Sequence, residues 1–319
     1  VWHTRRLVSY LDPKTLAMAF GAALLREGST AELESCFSAA NLGGVDWGAL
    51  QALSPLLRVV VGDDGEIVRF ATHAVLCDAL FDQVSIRLDS RMSARLRAVV
   101  LAHLTQALDF VRVVRTLHSA CPGDEIARWC ELNGMALLHR YGAPALERCL
   151  EKVPPVMVSS SARLLLLRSA ALREREHIDE ALAHVGLAVR IAESDGDLGT
   201  QASALLFAVR LAIDISDLRS ARQALSQLNA MLRSHLSEPE DCLLDAYTAV
   251  AEVQCGNSEV ADSRARHAAD ALERVNKTTP EAAWSASCLA SVMGPLHGRW
   301  DEASALLTRV NDWPGTTLL

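Results

Sequence analysis

Residues 298–307, GRWDEASALL, contain a glycine, an aromatic residue, two acidic residues, a small residue and two leucines. Aligned on Ala303, three upstream segments show a related arrangement around Ala181, Ala221 and Ala261. These four alanines are separated by 40, 40 and 42 residues in chain order. Four positions at nearly one period indicate an internal repeat.

The residues five positions before these alanines are Glu176, Ser216, Gly256 and Gly298. Apolar residues on both sides recur every three or four positions, which predicts two helices per repeat. A small residue lets antiparallel helices approach closely, and glycine or serine accommodates the reversal between them. Such hairpins stack because neither helix can bury its apolar face alone.

The composition fits a helical, globular chain. Half of the 319 residues are apolar, aromatic residues make up 5%, and the formal net charge is −8. Because nucleic-acid-binding surfaces carry a basic excess, we expect no direct nucleic-acid contact. The longest apolar runs have about ten residues, too few to cross a bilayer, so no membrane partner is expected. Arginine supplies nearly all basic residues, as in proteins from high-GC bacteria.

The cysteines and the missing catalytic motifs favour a binding protein rather than an enzyme. None of the eight cysteines forms a C-x-x-C pair or zinc-ligand spacing, so no metal is predicted. Most fall on apolar helical faces, where a free thiol behaves as a small hydrophobe. Reduced thiols indicate a cytoplasmic location. Neither G-x-S-x-G nor H-E-x-x-H occurs, and no catalytic residue is predicted.

The N-terminal segment predicts three helices and a β-hairpin. The helices cover residues 12–26, 30–40 and 46–57, and the hairpin covers 58–72 around Gly-Asp-Asp-Gly, followed by a helix at 73–83. This order is a winged-helix pattern. Its net charge between residues 44 and 72 is −2, which disfavours a DNA contact. His73 contacts either a nucleotide or neighbouring domain, or serves only as a capped junction residue.

The C-terminal repeats resemble tetratricopeptide repeats. The resemblance rests on Gly298, Trp300 and Ala303, and on alanine pairs seven residues apart such as Ala181 with Ala188 and Ala261 with Ala268. The period of about 40 exceeds that of the family, and its first-helix glycine is replaced by Ser169, Val209, Ala249 and Ser291. We therefore predict an all-α fold, a right-handed superhelix of tetratricopeptide-like helical hairpins, preceded by a small winged-helix domain with one β-hairpin.

The order of these parts also resembles the middle and C-terminal part of large ATP-dependent LuxR-family bacterial regulators, such as the maltose-regulon activator. The strand-to-helix junction with Arg69, Phe70 and His73, and the passage 147–173 into the repeats, carry this resemblance. It implies a winged-helix-like domain at 1–89, irregular helices at 90–158 and repeats at 159–319. The chain contains no phosphate-binding G-x-x-x-x-G-K-[ST] motif and starts without Met, so the resemblance places ATP in an absent upstream domain.

The resemblance implies a signal-sensing arm of a transcription regulator. Its expected partners are a small-molecule inducer or a regulatory protein or peptide, and self-association is possible. The alternative is a free-standing helical-repeat scaffold that binds a protein or peptide. The open reading frame on either side of the chain distinguishes the two.

In stacked helical hairpins the first helices line the inner groove. This assigns Arg163, Ser203, Arg210 and Trp284 to the groove as ligand-binding candidates, with Tyr247 at a neighbouring position. Arginine and aromatic residues suit a peptide, a carboxylate or a sugar. Alternatively, Arg163 and Arg210 are solvated and Tyr247 belongs to the core. Trp300 is expected to pack in its turn rather than bind a ligand.

Overall fold

A computed structural model describes residues 2–54, 56–63, 65–275, 277 and 279–311. The chain divides into two compact units, residues 1–126 and 127–319. The predicted domain boundaries lie at residues 89 and 158 instead. A division into compact units does not test domain boundaries, so these remain a prediction. Residues 312–319 of the predicted repeat segment lie outside the described residues.

The first unit contains a small sheet and mostly helices. Its elements are α1 (Trp2–Ser9), α2 (Pro13–Leu25), β1 (Glu27–Ser29), α3 (Thr30–Ala39), α4 (Trp47–Gln51), β2 (Leu57–Val61), β3 (Ile67–Thr72), α5 (Ala74–Arg87), α6 (Ser90–Gln106) and α7 (Phe110–Ala120).

Helix α2 forms the centre of the first unit. It is apolar on every side, and residues 15–25 are all buried, as expected for a helix surrounded by its own fold. The Asp12 side chain caps its start, with Pro13 in the first turn, as the sequence predicts. Ser29 and Glu32 form a reciprocal capping box at the start of α3. Local cap signals therefore place both helices correctly.

The predicted hairpin is present as β2 and β3, which pair antiparallel. The turn residue Asp64 lies outside the described residues. A third strand, β1, was not predicted, and the sheet order is β1-β3-β2. β1 has only three residues, too few to show an alternating pattern.

The predicted helix over residues 46–57 is wrong in length. Helix α4 ends at Gln51, and Leu57 already begins a strand. Pro55 lacks an amide donor and disfavours helical conformation at the residue before it, which explains the early end. Asp46 does cap the helix, accepting a hydrogen bond from the Ala49 amide.

The second unit is built from helices. Helix α8 (Gly123–Tyr141) runs into it, and the elements that follow are α9 (Ala143–Leu150), α10 (Pro155–Ser160), α11 (Ala162–Glu174), α12 (Ile178–Asp195), α13 (Leu198–Asp214), α14 (Leu218–Gln227), a π-helical turn at Leu228–Leu232, a 3-10 turn at Arg233–His235, α15 (Glu238–Gln254), α16 (Ser258–Leu272), α17 (Pro280–His297) and α18 (Trp300–Asn311).

The second unit confirms the predicted repeat of helical hairpins. Helices α11 to α18 pack as successive pairs, α11 with α12, α13 with α14, α15 with α16 and α17 with α18. The anchor alanines are the buried contact points, with Ala181, Ala221 and Ala261 at 0% exposure and Ala303 at 6%. At the first anchor, the buried Ser169 hydroxyl donates to the Ala181 carbonyl over 2.7 Å. This is a tetratricopeptide-like array.

The four turn positions share one backbone conformation. Glu176, Ser216, Gly256 and Gly298 have φ of 62°, 60°, 81° and 67°, the left-handed region that favours glycine. At Glu176 the two hydrogen bonds of a Schellman motif are present, from its own amide to Arg173 and from the His177 amide to Leu172. The same backbone conformation therefore recurs at all four turns, including the two at which the residue is not glycine.

Trp300 packs in its turn, as predicted. Its ring lies against Gly294 so closely that a Cβ built on that glycine would sit 2.4 Å from the ring. The rest of the residue is open to solvent, since Trp300 is 65% exposed.

Candidate functional site

A groove in the second unit forms a cavity of about 280 Å³. Its lining comes from helix α8 and from the first helices of the repeats, α11, α13, α15 and α17. This is the face that stacked hairpins turn inward. The apolar part of the lining consists of Met135, Leu166, Leu167, Leu206, Phe207 and Leu243.

Acidic side chains from three helices stand along this lining. Glu131 accepts a hydrogen bond from the Ser161 hydroxyl over 2.6 Å. Glu240 accepts one from the Ser203 hydroxyl over 2.5 Å, and a second from the Ser237 amide in a capping box. Glu131 and Glu240 are therefore held in place by neighbouring hydroxyl groups.

Glu281 differs from the other two acidic residues of the groove. It lies in the first turn of α17, where the capping hydroxyl of Thr279 accepts from the Ala282 amide. Among the described residues, no basic side chain pairs with it. Burial raises the pKa of the Glu281 carboxyl, and the negative charge of Glu240 adds to this effect. The groove thus contains a carboxylate that lacks charge compensation.

Arg163 is the basic residue of the cavity lining. Its side chain is 53% exposed and lies 3.7 Å from the Asp197 carboxylate. Its Nε atom donates to the Thr200 hydroxyl over 3.1 Å. The same Asp197 caps α13 by accepting from the Thr200 amide, so this cap also positions Arg163.

A cluster of Arg210, Trp284 and His139 lies next to Tyr247 at one end of the groove, the inner end. The Arg210 guanidinium stacks on the Trp284 ring, 3.9 Å from its centroid. His139 also contacts Trp284 in an edge-on arrangement, with ring centroids 5.1 Å apart. Burial, and then the charge of Arg210, lower the pKa of His139 to about 4. His139 is therefore neutral at physiological pH.

Two hydrogen-bond donors in this region are buried without an acceptor in the described part of the chain. They are the Tyr247 hydroxyl and the Nη1 atom of Arg210. Tyr247 is only 3% exposed, yet it lines the cavity. Burial raises the pKa of Tyr247, so the phenol stays protonated and can donate. Buried donors normally have partners, so this pair is consistent with an acceptor supplied from outside the chain.

The structure brings the five predicted ligand-binding residues together. Arg163, Ser203, Tyr247 and Trp284 line the cavity, and Arg210 stacks on Trp284. The alternative prediction holds in part, since Arg163 is half-exposed and Tyr247 is buried. Arg210 is not simply solvated. Whether these residues bind a ligand stays a prediction.

Sequence reasoning missed the three acidic residues and His139. Glu240 and Glu281 occupy the first turn of successive first helices, one repeat apart, which is a signal the alignment contained. Negative charge is favourable at any helix start, so this position alone does not indicate a groove role. His139 precedes the aligned repeats and had no repeat partner to indicate its orientation.

His73 has a local partner. It caps α5, and its Nδ1 atom accepts a hydrogen bond from the Val75 amide over 3.2 Å. This agrees with the alternative of a capped junction residue.

The described residues contain neither a metal-binding cluster nor a membrane-spanning helix. No group of three His, Cys, Asp or Glu side chains is placed to hold a metal ion. None of the helices in these ranges combines the length and apolar character needed to span a bilayer.

No protein-family model matches the chain, and no curated protein matches it. Among solved structures, it is similar to the nearly identical TPR-like repeats of a protein from Podosopora anserina described as a kinesin light chain. The two chains are 18% identical with a TM-score of 0.37, and the match covers 62% of this chain and 93% of the other.

Proposed function

We propose that the second unit is a protein-interaction module that binds a segment of a partner protein in the groove between its first helices. The observation that carries this proposal is that four predicted residues from α11, α13, α15 and α17 line one cavity of about 280 Å³, and that the fifth, Arg210, stacks on one of them. Apolar side chains supply contact area for a ligand, and a few polar groups can orient it.

The properties of the lining suit a peptide. Burial of the apolar surface that Met135, Leu166 and Trp284 leave partly exposed would supply the driving force. Trp284 offers a large aromatic surface, held rigid by Arg210 on one face. Rigid aromatic residues are frequent among the side chains that dominate binding energy.

A blocking substitution tests this proposal. Ser203 lies in the groove and is partly exposed, so Ser203→Arg should place a long side chain where a peptide would lie. The matched control is Ser220→Arg, at an exposed position on the second helix α14. Binding of the 319-residue chain to immobilised peptides of random sequence is compared for both variants and the wild type. Ser203→Arg should abolish binding while Ser220→Arg retains it; equal binding by both would refute the proposal.

We also propose a finer role, the signal-sensing arm of a cytoplasmic LuxR-type transcription regulator. The supporting observation is the order α2, β1, α3, α4, β2, β3 in the first unit, with sheet order β1-β3-β2, ahead of a repeat array. This is the arrangement expected of a winged helix, and the acidic balance of its hairpin region favours contact with protein rather than DNA.

In this role the groove would take a small-molecule inducer or a regulatory peptide and bias an upstream ATPase, with self-association of the arm. Neither role includes catalysis by this chain. The coding sequence on either side tests the finer role: a phosphate-binding loop upstream and a basic helix-turn-helix downstream support it. Their absence from the complete reading frame would leave only the interaction module.

A further inference from the structure

Two unpaired donors at the inner end of the groove need an acceptor. The Tyr247 hydroxyl and Arg210 Nη1 are buried and lack an acceptor among the described residues, and both side chains adjoin the groove. A carbonyl or carboxylate oxygen can accept from both a phenol and a guanidinium. The inner end of the groove therefore favours an oxygen atom of a ligand.

The part of the groove with the acidic side chains, the outer part, selects the opposite charge. Glu131, Glu240 and Glu281 line it, against Arg163 alone, and Arg163 already lies beside Asp197. A simple anion would be repelled here before it reached Arg210. Glu281 has no basic partner in the described part of the chain, so a cationic group of the ligand would compensate it.

The spacing of these groups sets the length of the ligand. Glu240 and Tyr247 lie on the same helix, α15, seven residues apart. At 1.5 Å of rise per residue, this separation is about 10 Å along the helix. An extended peptide of about three residues spans the same length. A basic side chain at one end and a main-chain oxygen at the other would meet both groups.

We infer that the groove recognises an extended peptide segment with a lysine or arginine side chain placed between Glu240 and Glu281, and with a main-chain oxygen about 10 Å away bound by Tyr247 and Arg210. This inference rests on the proposed function, since it specifies the peptide chemistry at the same groove. The partly exposed side chains of Met135 and Leu166 contact the body of the segment.

Calorimetric titration of the full-length chain with three peptides tests the inference. The peptides are acetyl-Ala-Ala-Lys-Ala-Ala-amide and its versions with glutamate or norleucine in place of lysine. The lysine peptide should bind about tenfold or more tightly than the norleucine peptide, and the glutamate peptide most weakly, since a hydrogen-bonded charge pair contributes this much. Equal behaviour of the three peptides, including a failure of all three to bind, overturns the inference.

Two substitutions test the two ends of the groove independently. Glu281→Gln should reduce the preference for lysine over norleucine, because Glu240 alone then faces the cation. Glu238→Gln, at an exposed position in the first turn of α15, should leave the preference unchanged. Tyr247→Phe should weaken lysine and norleucine peptides alike, by about tenfold, and leave the preference intact. An unchanged preference in Glu281→Gln, with a normal circular dichroism spectrum, overturns the inference.

The blocking variant distinguishes this failure from failure of the proposed function. If Ser203→Arg abolishes binding to random peptides while the three defined peptides behave alike, the interaction module stands and the basic-residue preference is wrong. If Ser203→Arg leaves binding to random peptides unchanged, the groove is not the binding site and both are wrong.

Discussion

Replacing Ser216 by glycine should stabilise the second unit. Ser216 has φ of 60° and is exposed, and its amide donates to the Ile213 carbonyl, a bond that glycine would keep. The left-handed conformation costs an L-residue about 1–2 kcal/mol. Glycine removes this strain but costs about 0.5–1 kcal/mol through the greater entropy of the unfolded chain.

The difference between these two effects is a net stabilisation of about 0.5–1 kcal/mol. For a unit of this size it corresponds to a rise in melting temperature of about 1–4 °C. Glu176→Gly should behave in the same way, because Glu176 has φ of 62° and is exposed. The reverse change, Gly256→Ala at φ 81°, should destabilise by about 1 kcal/mol.

Urea and thermal unfolding, followed by far-UV circular dichroism, measure these changes. The matched control is Ser304→Gly, the same chemical change at an exposed position inside helix α18. There glycine should destabilise by about 0.5 kcal/mol, because the backbone is already helical. If Ser216→Gly and Ser304→Gly destabilise to the same extent, the turn at Ser216 does not have the left-handed conformation and the repeat of turns is wrong.

Three further predictions concern other contacts. Asp245 is 3% exposed and binds two arginines, so Asp245→Asn should lower the free energy of unfolding by about 3–5 kcal/mol. The exposed Asp270→Asn should change it by less than about 0.5 kcal/mol, and equal effects would refute this role. Gly294→Ala should destabilise the wild type by displacing the Trp300 ring, but stabilise a Trp300→Ala background by up to about 1 kcal/mol; the same sign in both would refute the contact. The pKa of His139 is lowered to about 4, so the folded state binds fewer protons than the unfolded state. The contribution of neutral His139 to the free energy of unfolding should be fully present above the pKa of this histidine in the unfolded chain. It should fall by about 2–3 kcal/mol as the pH drops towards 4. His139→Gln should flatten this loss in unfolding measured across pH, and an unchanged slope would refute the assignment.

Local sequence signals were sufficient to predict where a helix begins when a side chain caps its first turn. Asp12, Ser29 and Asp46 cap the predicted helices because a side-chain acceptor satisfies amides at helix starts whatever the surroundings. The strand Glu27–Ser29 had no such signal. It exists because β3 offers it a partner across the sheet, an interaction between residues distant in sequence.

The same distinction between local signals and long-range contacts applies to the repeat and the groove. Periodic alanines and turn positions are read directly from the sequence, because helix pairing imposes a small residue at every close contact. They assigned Arg163, Ser203, Arg210, Tyr247 and Trp284 to one face. The sequence could not indicate that Arg210 would stack on Trp284, since that contact joins different repeats.

The sequence by itself determined that this chain forms helical hairpins, their period, their turn positions and the face that each first helix turns inward. These properties depend on neighbours within one repeat, where spacing along the chain determines spacing in three dimensions. Only the tertiary structure decided which carboxylate lacks a partner and which donors are buried without an acceptor. Burial and pairing depend on side chains from several helices meeting in one cavity, and no single stretch of sequence contains that information.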